Sequence, residues 1–295
     1  MTSYAIPITR APHIIRVLFT LLPFITFGSN CWSRVAEAQV PVEVLLAADT
    51  ESKDIADAMQ SNVAFLDSAL AENIPTNQLR LHDLTGENWS RHKVLTTIAR
   101  IPVRENQVFL FFYCGHGYYS NGTLFYPPFD NQQPLYLREI LSAIREKRPR
   151  LLVSIVDCCS VMPPGRVVAR PAPLSLSAKR FSPLFGELLT RTTGEIAINS
   201  SAPGEYALAG VLAGEARVPF SLFTLELLNS LREHQNEKRS WEFIIHDVKS
   251  RVATTFSQMR KNNQHGIPLA DGRVLPQAKQ TVWAIRNGQA WIPFD

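Results

Sequence analysis

The sequence predicts an α/β fold with a mostly parallel central sheet and helices on both faces. Two apolar runs, at 108–113 and 151–156, are rich in β-branched and aromatic residues and are typical of buried strands. Strands buried on both faces belong to parallel sheets. Around these runs, strand-like segments alternate with segments of helical periodicity, which indicates the same architecture.

The elements before the first of these runs follow one another in alternation. An apolar segment at 40–48 predicts a strand. Apolar side chains then recur every three or four residues over 51–72, which predicts an amphipathic helix. A second strand is predicted at 77–84. Ser90 is a preferred N-cap residue and begins a helix that runs to about residue 101.

The later elements continue the pattern. Residues 118–126 predict a hairpin, because the Asn121-Gly122 dipeptide suits a tight primed turn. A helix is predicted at 135–147, and the cations at its carboxyl end complement the helix dipole. The remaining predicted elements are a strand at 195–200 and amphipathic helices at 220–231 and 241–259.

The composition is that of an ordinary globular chain of 295 residues, with 45% hydrophobic and 19% charged residues. The formal net charge is only +4, and no basic stripe alternates with aromatic residues, so we expect no nucleic-acid partner. After the first predicted strand, residues 48–51 read Ala-Asp-Thr-Glu. The glycine-rich loop of a dinucleotide-binding protein is therefore missing from this position.

The N-terminal 38 residues have the pattern of a secretory signal. Arg10 and Arg16 provide a basic region, residues 14–27 are mostly apolar, and residues 36–38 offer a small-x-small cleavage site. We expect export, either to a periplasm or to the exterior, with an uncleaved membrane anchor as the alternative. Three cysteines then remain in 39–295, which is not a disulfide framework.

A cysteine and a histidine follow the two apolar runs. The first run continues as Cys114-Gly115-His116-Gly117, and the second continues as Asp157-Cys158-Cys159. Parallel strands present their chemistry at their carboxyl ends, which share one edge of the sheet. Because a thiol needs a nearby base to become a nucleophilic thiolate, the two sequences predict a cysteine hydrolase dyad.

These motifs resemble those of a known family. Residues 113–117, Tyr-Cys-Gly-His-Gly, resemble the Tyr-Ser-Gly-His-Gly motif of metacaspases and other caspase-like peptidases, and residues 157–159 resemble the Asp-x-Cys motif of that family. His116 and Cys159 are 43 residues apart, close to the roughly 50 expected in caspases. The resemblance covers roughly 40–271 and implies a caspase-like three-layer sandwich.

The resemblance also implies the catalytic roles. Cys159, two residues after Asp157, corresponds to the nucleophile, and His116 corresponds to the base. The backbone amides of Gly117 and Cys159 would form the oxyanion hole, where preorganised N–H groups stabilise the tetrahedral intermediate. The implied activity is cysteine endopeptidase hydrolysis of peptide bonds through an acyl-enzyme.

The resemblance assigns three substrate-binding residues. Asp157 corresponds to the carboxylate of the primary pocket in metacaspases and implies cleavage after Arg or Lys, because a negative pocket selects a cation. Asp57, followed by alanine, resembles a second acidic element that reaches this pocket. Cys114 replaces the usual serine and reshapes the pocket floor. Asp54 and Asp57 also suit a helix N-terminus, and for Asp54 we favour that structural interpretation.

The resemblance divides the chain into regions. Residues 39–160 correspond to a large-subunit region, 161–183 to an exposed proline-rich basic loop open to self-cleavage, and 184–295 to a small-subunit region of the same domain. The acidic cluster that binds calcium in many metacaspases is not evident, so we expect no metal and no cofactor.

The expected partner is a peptide or protein substrate with a basic residue at the cleaved bond, and no obligate partner is inferred. The alternatives are a catalytically inactive caspase-like binding or scaffold domain, and an α/β protein of another class whose strand ends carry Cys and His by accident.

Overall fold

The apolar runs of the chain form the strands of a central sheet. The structure is a computed structural model that describes residues 40–86, 89–120, 123–126, 134–159, 178–213, 218–262 and 278–293. The strands, in chain order, are β1 (Val42–Ala48), β2 (Leu79–Thr85), β3 (Val108–Gly115), β4 (Tyr118–Ser120), β5 (Thr123–Tyr126), β6 (Leu135–Tyr136), β7 (Leu151–Cys158), β8 (Gly194–Asn199), β9 (Ala209–Ala213), β10 (Val218–Ser221), β11 (Trp283–Arg286) and β12 (Gln289–Ile292).

Two of the helices begin directly after a serine that caps them. Ser90 and Ser221 each accept a hydrogen bond from the backbone N–H three residues later, which satisfies a donor that has no partner inside the helix. The helices are α1 (Ala56–Asn73), α2 (Arg91–Arg100), α3 (Leu137–Arg145), α4 (Pro183–Phe185), α5 (Leu222–Glu233) and α6 (Trp241–Asn262), and a π-helical segment, Gly186–Arg191, follows α4.

The central sheet has seven strands in the order β12-β11-β8-β7-β3-β1-β2. The five strands from β2 to β8 are parallel, and β11 and β12 add an antiparallel hairpin beyond β8. This confirms the predicted mostly parallel sheet. A two-stranded sheet of β9 and β10 and a three-stranded sheet of β4, β5 and β6 accompany it.

The central sheet buries a separate apolar core on each face. Alternate residues of β1, β3 and β7, such as Phe112 and Val153, pack with α1, α5 and α6 on one face. The intervening residues, such as Phe111 and Leu152, pack with α2 and α3 on the other face. Because successive side chains of a strand point to opposite faces, this alternation produces the three layers of the sandwich.

Some element boundaries differ from the prediction. Helix α1 begins at residue 56 instead of 51, because the Asp49 carboxylate accepts hydrogen bonds from the backbone and hydroxyl of Ser52, and residues 53–55 form turns before the helix. Phe220 and Ser221 belong to β10 and not to the following helix. The hairpin of β11 and β12 was not predicted.

Several predicted segments lie outside the described residues. These are the signal segment 1–38 and most of the loop 161–183. Where the chain is described again, the Ala178 amide donates to the Ala71 carbonyl at 3.0 Å, and Lys179 and Arg180 are exposed. Within the described ranges, no helix combines the length and the apolar character needed to span a bilayer.

Two phenylalanines on neighbouring helices provide a test of the core. Phe223 on α5 is fully buried, whereas Phe243 on α6 is 36% exposed. We expect Phe223→Ala to lower the free energy of unfolding by about 3–5 kcal/mol, because it removes buried apolar contacts and leaves a cavity. Phe243→Ala should cost about 1 kcal/mol or less, since it loses mainly ring contacts with His234 and Arg239. Urea unfolding curves of both variants measure the difference, and equal losses would contradict this packing.

Candidate active site

The candidate active site lies at the carboxyl ends of β3 and β7. These strands are parallel neighbours, and their register pairs Gly115 with Cys158. His116 directly follows β3, and Cys159 directly follows β7. The fold therefore brings the predicted base and nucleophile to the same edge of the sheet. The motifs that sequence analysis singled out therefore converge in space.

The two strand ends touch at Gly117. A Cβ atom added to this residue would lie 2.4 Å from Cys158 Sγ and 3.2 Å from the Cys159 carbonyl oxygen. Real Cβ atoms do not approach other atoms as closely as the first distance. Only glycine therefore allows the chain after His116 to lie directly against the chain that carries the proposed nucleophile.

His116 is paired with a carboxylate. Its Nε2 atom lies 3.2 Å from Asp54 Oδ1, and both side chains are largely buried. Burial lowers the pKa of His116, but the hydrogen bond to Asp54 and the charges of Asp54 and Asp49 outweigh it, so the net pKa is raised. For Asp54, burial raises the pKa, and the hydrogen bond and charge of His116 bring it below its ordinary value. The contact therefore makes the imidazole a stronger base and favours the ionised form of its carboxylate partner.

The Cys159 thiol is shielded from solvent. The residue is 8% exposed, and its Sγ donates to the Ala207 carbonyl at 3.4 Å. Burial raises the pKa of Cys159 to about 12, and the negative charges of Asp157 and Asp54 add to the increase. The thiol is therefore protonated at neutral pH in this arrangement, and nucleophilic attack requires transfer of its proton to a base.

The Cys158 side chain lies on the opposite face of the sheet from the Asp157 carboxylate, because successive residues of a strand point to opposite faces. It packs with the residues of α2 and α3, and burial raises its pKa well above that of a free thiol. Its carbonyl oxygen accepts hydrogen bonds from the hydroxyls of Ser200 and Ser201, at 3.3 and 3.0 Å. Cys158 thus lies in the packing of the strand end, which favours Cys159 as the reactive residue of the adjacent pair.

Asp157 is the centre of a buried hydrogen-bond network. It is 2% exposed, and its Oδ2 accepts hydrogen bonds from the hydroxyls of Ser221 and Thr224, the latter at 2.6 Å. Ser221 Oγ in turn accepts from Asn62 Nδ2 at 2.8 Å. Within the described part of the chain, Asp157 Oδ1 has no hydrogen bond of regular geometry. Burial raises the pKa of Asp157, although hydrogen bonds from these hydroxyls and from Ser200 oppose the rise.

The other two predicted substrate-binding residues, Asp57 and Cys114, differ in burial. Asp57 lies in the first turn of α1 and is partly exposed. Cys114 is the register partner of Asp157 and is fully buried, with its Sγ 3.9 Å from the Met59 carbonyl oxygen. Burial raises its pKa well above the ordinary value. Cys114 is therefore a buried neighbour of Asp157 on the adjacent strand. The substrate-binding roles of Asp57 and Cys114 stay predictions.

Several residues of this site are not predictable from the sequence. Asp54, for which the sequence favours the role of a helix N-terminal acid, instead precedes α1 and contacts His116. One signal was present, since residues 49–54 follow the strand next to β3 and contain three acids. Asn62, Ser221 and Thr224 had no such signal, because ordinary polar residues acquire this role only when distant segments pack together.

None of the cysteines among the described residues forms a disulfide bond. Cys114, Cys158 and Cys159 are free thiols. Among the residues whose positions are given, no three or more His, Cys, Asp or Glu side chains are grouped to hold a metal ion.

A cysteine and a histidine follow two adjacent parallel strands at the carboxyl edge of a three-layer sandwich, which is the arrangement that the resemblance to caspase-like peptidases implies. Comparison with protein families agrees, because the family described as Caspase domain matches residues 43–282. The chain therefore belongs to the caspase domain family and carries a peptidase domain of that family. This confirms the family that the two motifs predict.

A solved structure shares the fold. The crystal structure of caspase-1 from Spodoptera frugiperda superposes with a TM-score of 0.51 at 13% sequence identity, covering 84% of this chain and 86% of that one. At this identity the similarity establishes the three-layer fold alone. No curated protein matches the sequence.

The contact at Gly117 provides a test of the site geometry. We expect Gly117→Ala to lower the free energy of unfolding by about 1–3 kcal/mol, because its Cβ would overlap Cys158. In a Cys158→Gly background the loss should be smaller, since both overlapping Cys158 atoms are gone. Gly186→Ala is the matched control, because a Cβ there would lie at an ordinary contact distance of 3.7 Å from Phe181 Cβ. A double-mutant cycle by urea unfolding measures the coupling, and additive losses would contradict the contact.

Proposed function

We propose that the protein is a cysteine endopeptidase of the caspase and metacaspase type that cleaves peptide bonds after Arg or Lys. The observation that carries the proposal is the register of β3 and β7, which pairs Gly115 with Cys158 and so aligns His116 with Cys159. A protein or peptide substrate follows from membership of a peptidase family.

The proposed reaction has two stages. His116 takes the proton of Cys159, the thiolate attacks the scissile carbonyl carbon, and the amides of Gly117 and Cys159 donate to the oxyanion. His116 then gives its proton to the leaving amine as the C–N bond breaks, which leaves a thioester. In the second stage a water molecule, deprotonated by His116, attacks the thioester and releases the acid and the thiol.

The protonated thiol defines a resting state. While Cys159 donates to the Ala207 carbonyl and its pKa is about 12, it is a poor nucleophile. Attack requires the thiol to turn from Ala207 towards His116, where an imidazolium stabilises the thiolate. The raised pKa of His116 supports this step, because it makes the neutral imidazole a stronger base for the thiol proton.

The specificity proposal rests on Asp157. Two hydroxyl groups hold its Oδ2, whereas Oδ1 has no regular hydrogen bond within the described residues, and no Lys or Arg of that part of the chain forms an ion pair with it. A buried carboxylate is stabilised most by a cation that also donates hydrogen bonds. The side chain of an Arg or Lys substrate supplies both.

The second candidate function is a caspase-like binding domain without catalysis. The observation in its favour is the same buried, protonated Cys159. An arginine-based, thiol-reactive peptide probe distinguishes the two functions. Covalent labelling of Cys159 that is lost in His116→Ala supports the peptidase, whereas absence of labelling at any pH supports the binding domain.

We expect Cys159→Ala and His116→Ala each to abolish cleavage of Arg and Lys reporter peptides. Because the two residues act as one unit, the double variant should be no less active than either single variant. Cys158→Ala is the matched control and should keep most of the activity, since that thiol packs in the core. An inactive Cys158→Ala beside an active Cys159→Ala would place the nucleophile one residue earlier.

We expect Asp157→Asn to lower kcat/KM for Arg and Lys peptides while the protein remains folded. Loss of a charge-assisted hydrogen bond costs about 1.5–3 kcal/mol, which corresponds to roughly a 10-fold to 150-fold decrease. Steady-state kinetics on Arg, Lys and Asp peptides measure the change, and circular dichroism checks the fold. A wild-type preference for Asp peptides would contradict the basic specificity.

A further inference from the structure

We propose that Asp54 is a positioning residue of the catalytic unit, which orients the His116 ring and stabilises its imidazolium form. The proposal rests on the proposed peptidase function and deepens it, because it adds a carboxylate to the cysteine and histidine. Its starting observation is the 3.2 Å contact between Asp54 Oδ1 and His116 Nε2.

The contact assigns separate roles to the two ring nitrogens. A carboxylate accepts hydrogen bonds, so Nε2 carries the proton that faces Asp54. In the neutral ring the other nitrogen, Nδ1, is then the acceptor. Nδ1 is therefore the atom left to exchange a proton with the Cys159 thiol. Without the carboxylate, the two tautomers and ring orientations compete, and only some of them leave an acceptor available to the thiol.

The backbone of His116 is already fixed by other groups. The Tyr113 hydroxyl donates to the His116 carbonyl at 2.6 Å, and the Tyr113 ring stacks on Trp89 with centroids 4.8 Å apart. Gly115 has a φ of +153°, and a Cβ there would lie 2.6 Å from Asp49 Cβ. These contacts restrain the main chain, so rotation of the imidazole is the freedom that Asp54 removes.

Asp54 is free for this role because it does not cap α1. The N-cap position is Ile55, which makes no side-chain capping bond, and the acid within the first turn is Asp57. The Asp54 and His116 side chains are only 18% and 15% exposed, so their attraction is weakly screened by water. A solvent-exposed helix-terminal acid would not show this burial and this partner.

The other charged and titratable groups near the pair belong to neighbouring elements. Asp49, at the end of β1, adds a second negative charge that raises the pKa of His116. Tyr118 on β4 has its own pKa raised by burial and by Asp49. Cys159 follows β7, and the charge of Asp54 contributes to its raised pKa. The hydrogen bond between Asp54 Oδ1 and His116 Nε2 holds the ring directly.

In the first step of the proposed reaction, one proton moves from Cys159 to His116. The S–H bond of Cys159 breaks, its proton moves to Nδ1 of His116, and the electron pair stays on sulfur. The ring then carries a positive charge and two N–H groups, one of which donates to Asp54. The same proton passes later from Nδ1 to the leaving amine. Asp54 gains and loses no proton; it holds the ring and balances its charge.

Two substitutions of Asp54 test the proposal. Asp54→Asn keeps the size and an acceptor oxygen but removes the charge, and Asp54→Ala removes both. Glu72→Gln, an exposed carboxyl at the other end of α1, is the matched control. The first measurement is the His116 pKa and tautomer by NMR in a Cys159→Ala background, which needs no enzymatic activity. The second is the pH dependence of kcat and KM on an Arg reporter peptide.

We expect both Asp54 variants to lower the His116 pKa, because a carboxylate that raises it has been removed. Asp54→Asn should reduce kcat by about 10²-fold with KM nearly unchanged. The limb of the pH–rate profile governed by His116 should move to lower pH, and Glu72→Gln should resemble the wild type. An unchanged His116 pKa overturns the proposal, as does an unchanged kcat in an active enzyme.

The two proposals fail in different ways. A wild-type protein without peptidase activity refutes the proposed function, and the NMR measurement then still decides whether Asp54 positions His116. Conversely, an active wild type whose His116 pKa, tautomer and kcat are the same in Asp54→Asn refutes the role of Asp54 and leaves the peptidase proposal intact.

Discussion

The pairing of β3 with β7 is the constraint on which the rest of the site depends. One parallel register places the two motifs at the same edge, and Gly117 then lets the strand ends lie against each other. The same register assigns the faces of the sheet. Cys114 and Asp157 are partners on the side of α1 and α5, whereas Cys158 points to the core of α2 and α3. A shift by one residue would exchange these environments.

Burial acts against reactivity throughout the site, and fixed hydrogen bonds offset it. Low exposure raises the pKa of the cysteine thiols and of Asp157, which disfavours their charged forms. Hydroxyl groups hold the carboxylate of Asp157, and the carboxylate of Asp54 reverses the effect of burial on His116. A site of this kind is organised by carboxylates and hydroxyls contributed by neighbouring elements, because water is largely excluded.

The sheet, most helices, and the two strand ends that precede His116 and Cys159 are predictable from the sequence. These features depend on local periodicity and on motifs, both of which are visible in a single chain. The contact of Asp54 with His116 is not predictable, because several acids follow β1 and only packing selects one. The hairpin of β11 and β12 was not predicted, although Asn287-Gly288 between two alternating segments is a turn signal.

The pairing of β7 with β8 has a consequence for a protein whose chain is cut between these two strands. The amino-terminal piece would retain His116 and Cys159, while Ser221, Thr224 and Ala207 would belong to the other piece. Six residue pairs of β7 and β8, together with the hydrogen bond from Asn62 to Ser221, would still join the pieces without a covalent bond. Such a protein would give two bands in denaturing electrophoresis but would behave as one particle under native conditions. Dilution or denaturant would reveal how strongly the two pieces associate.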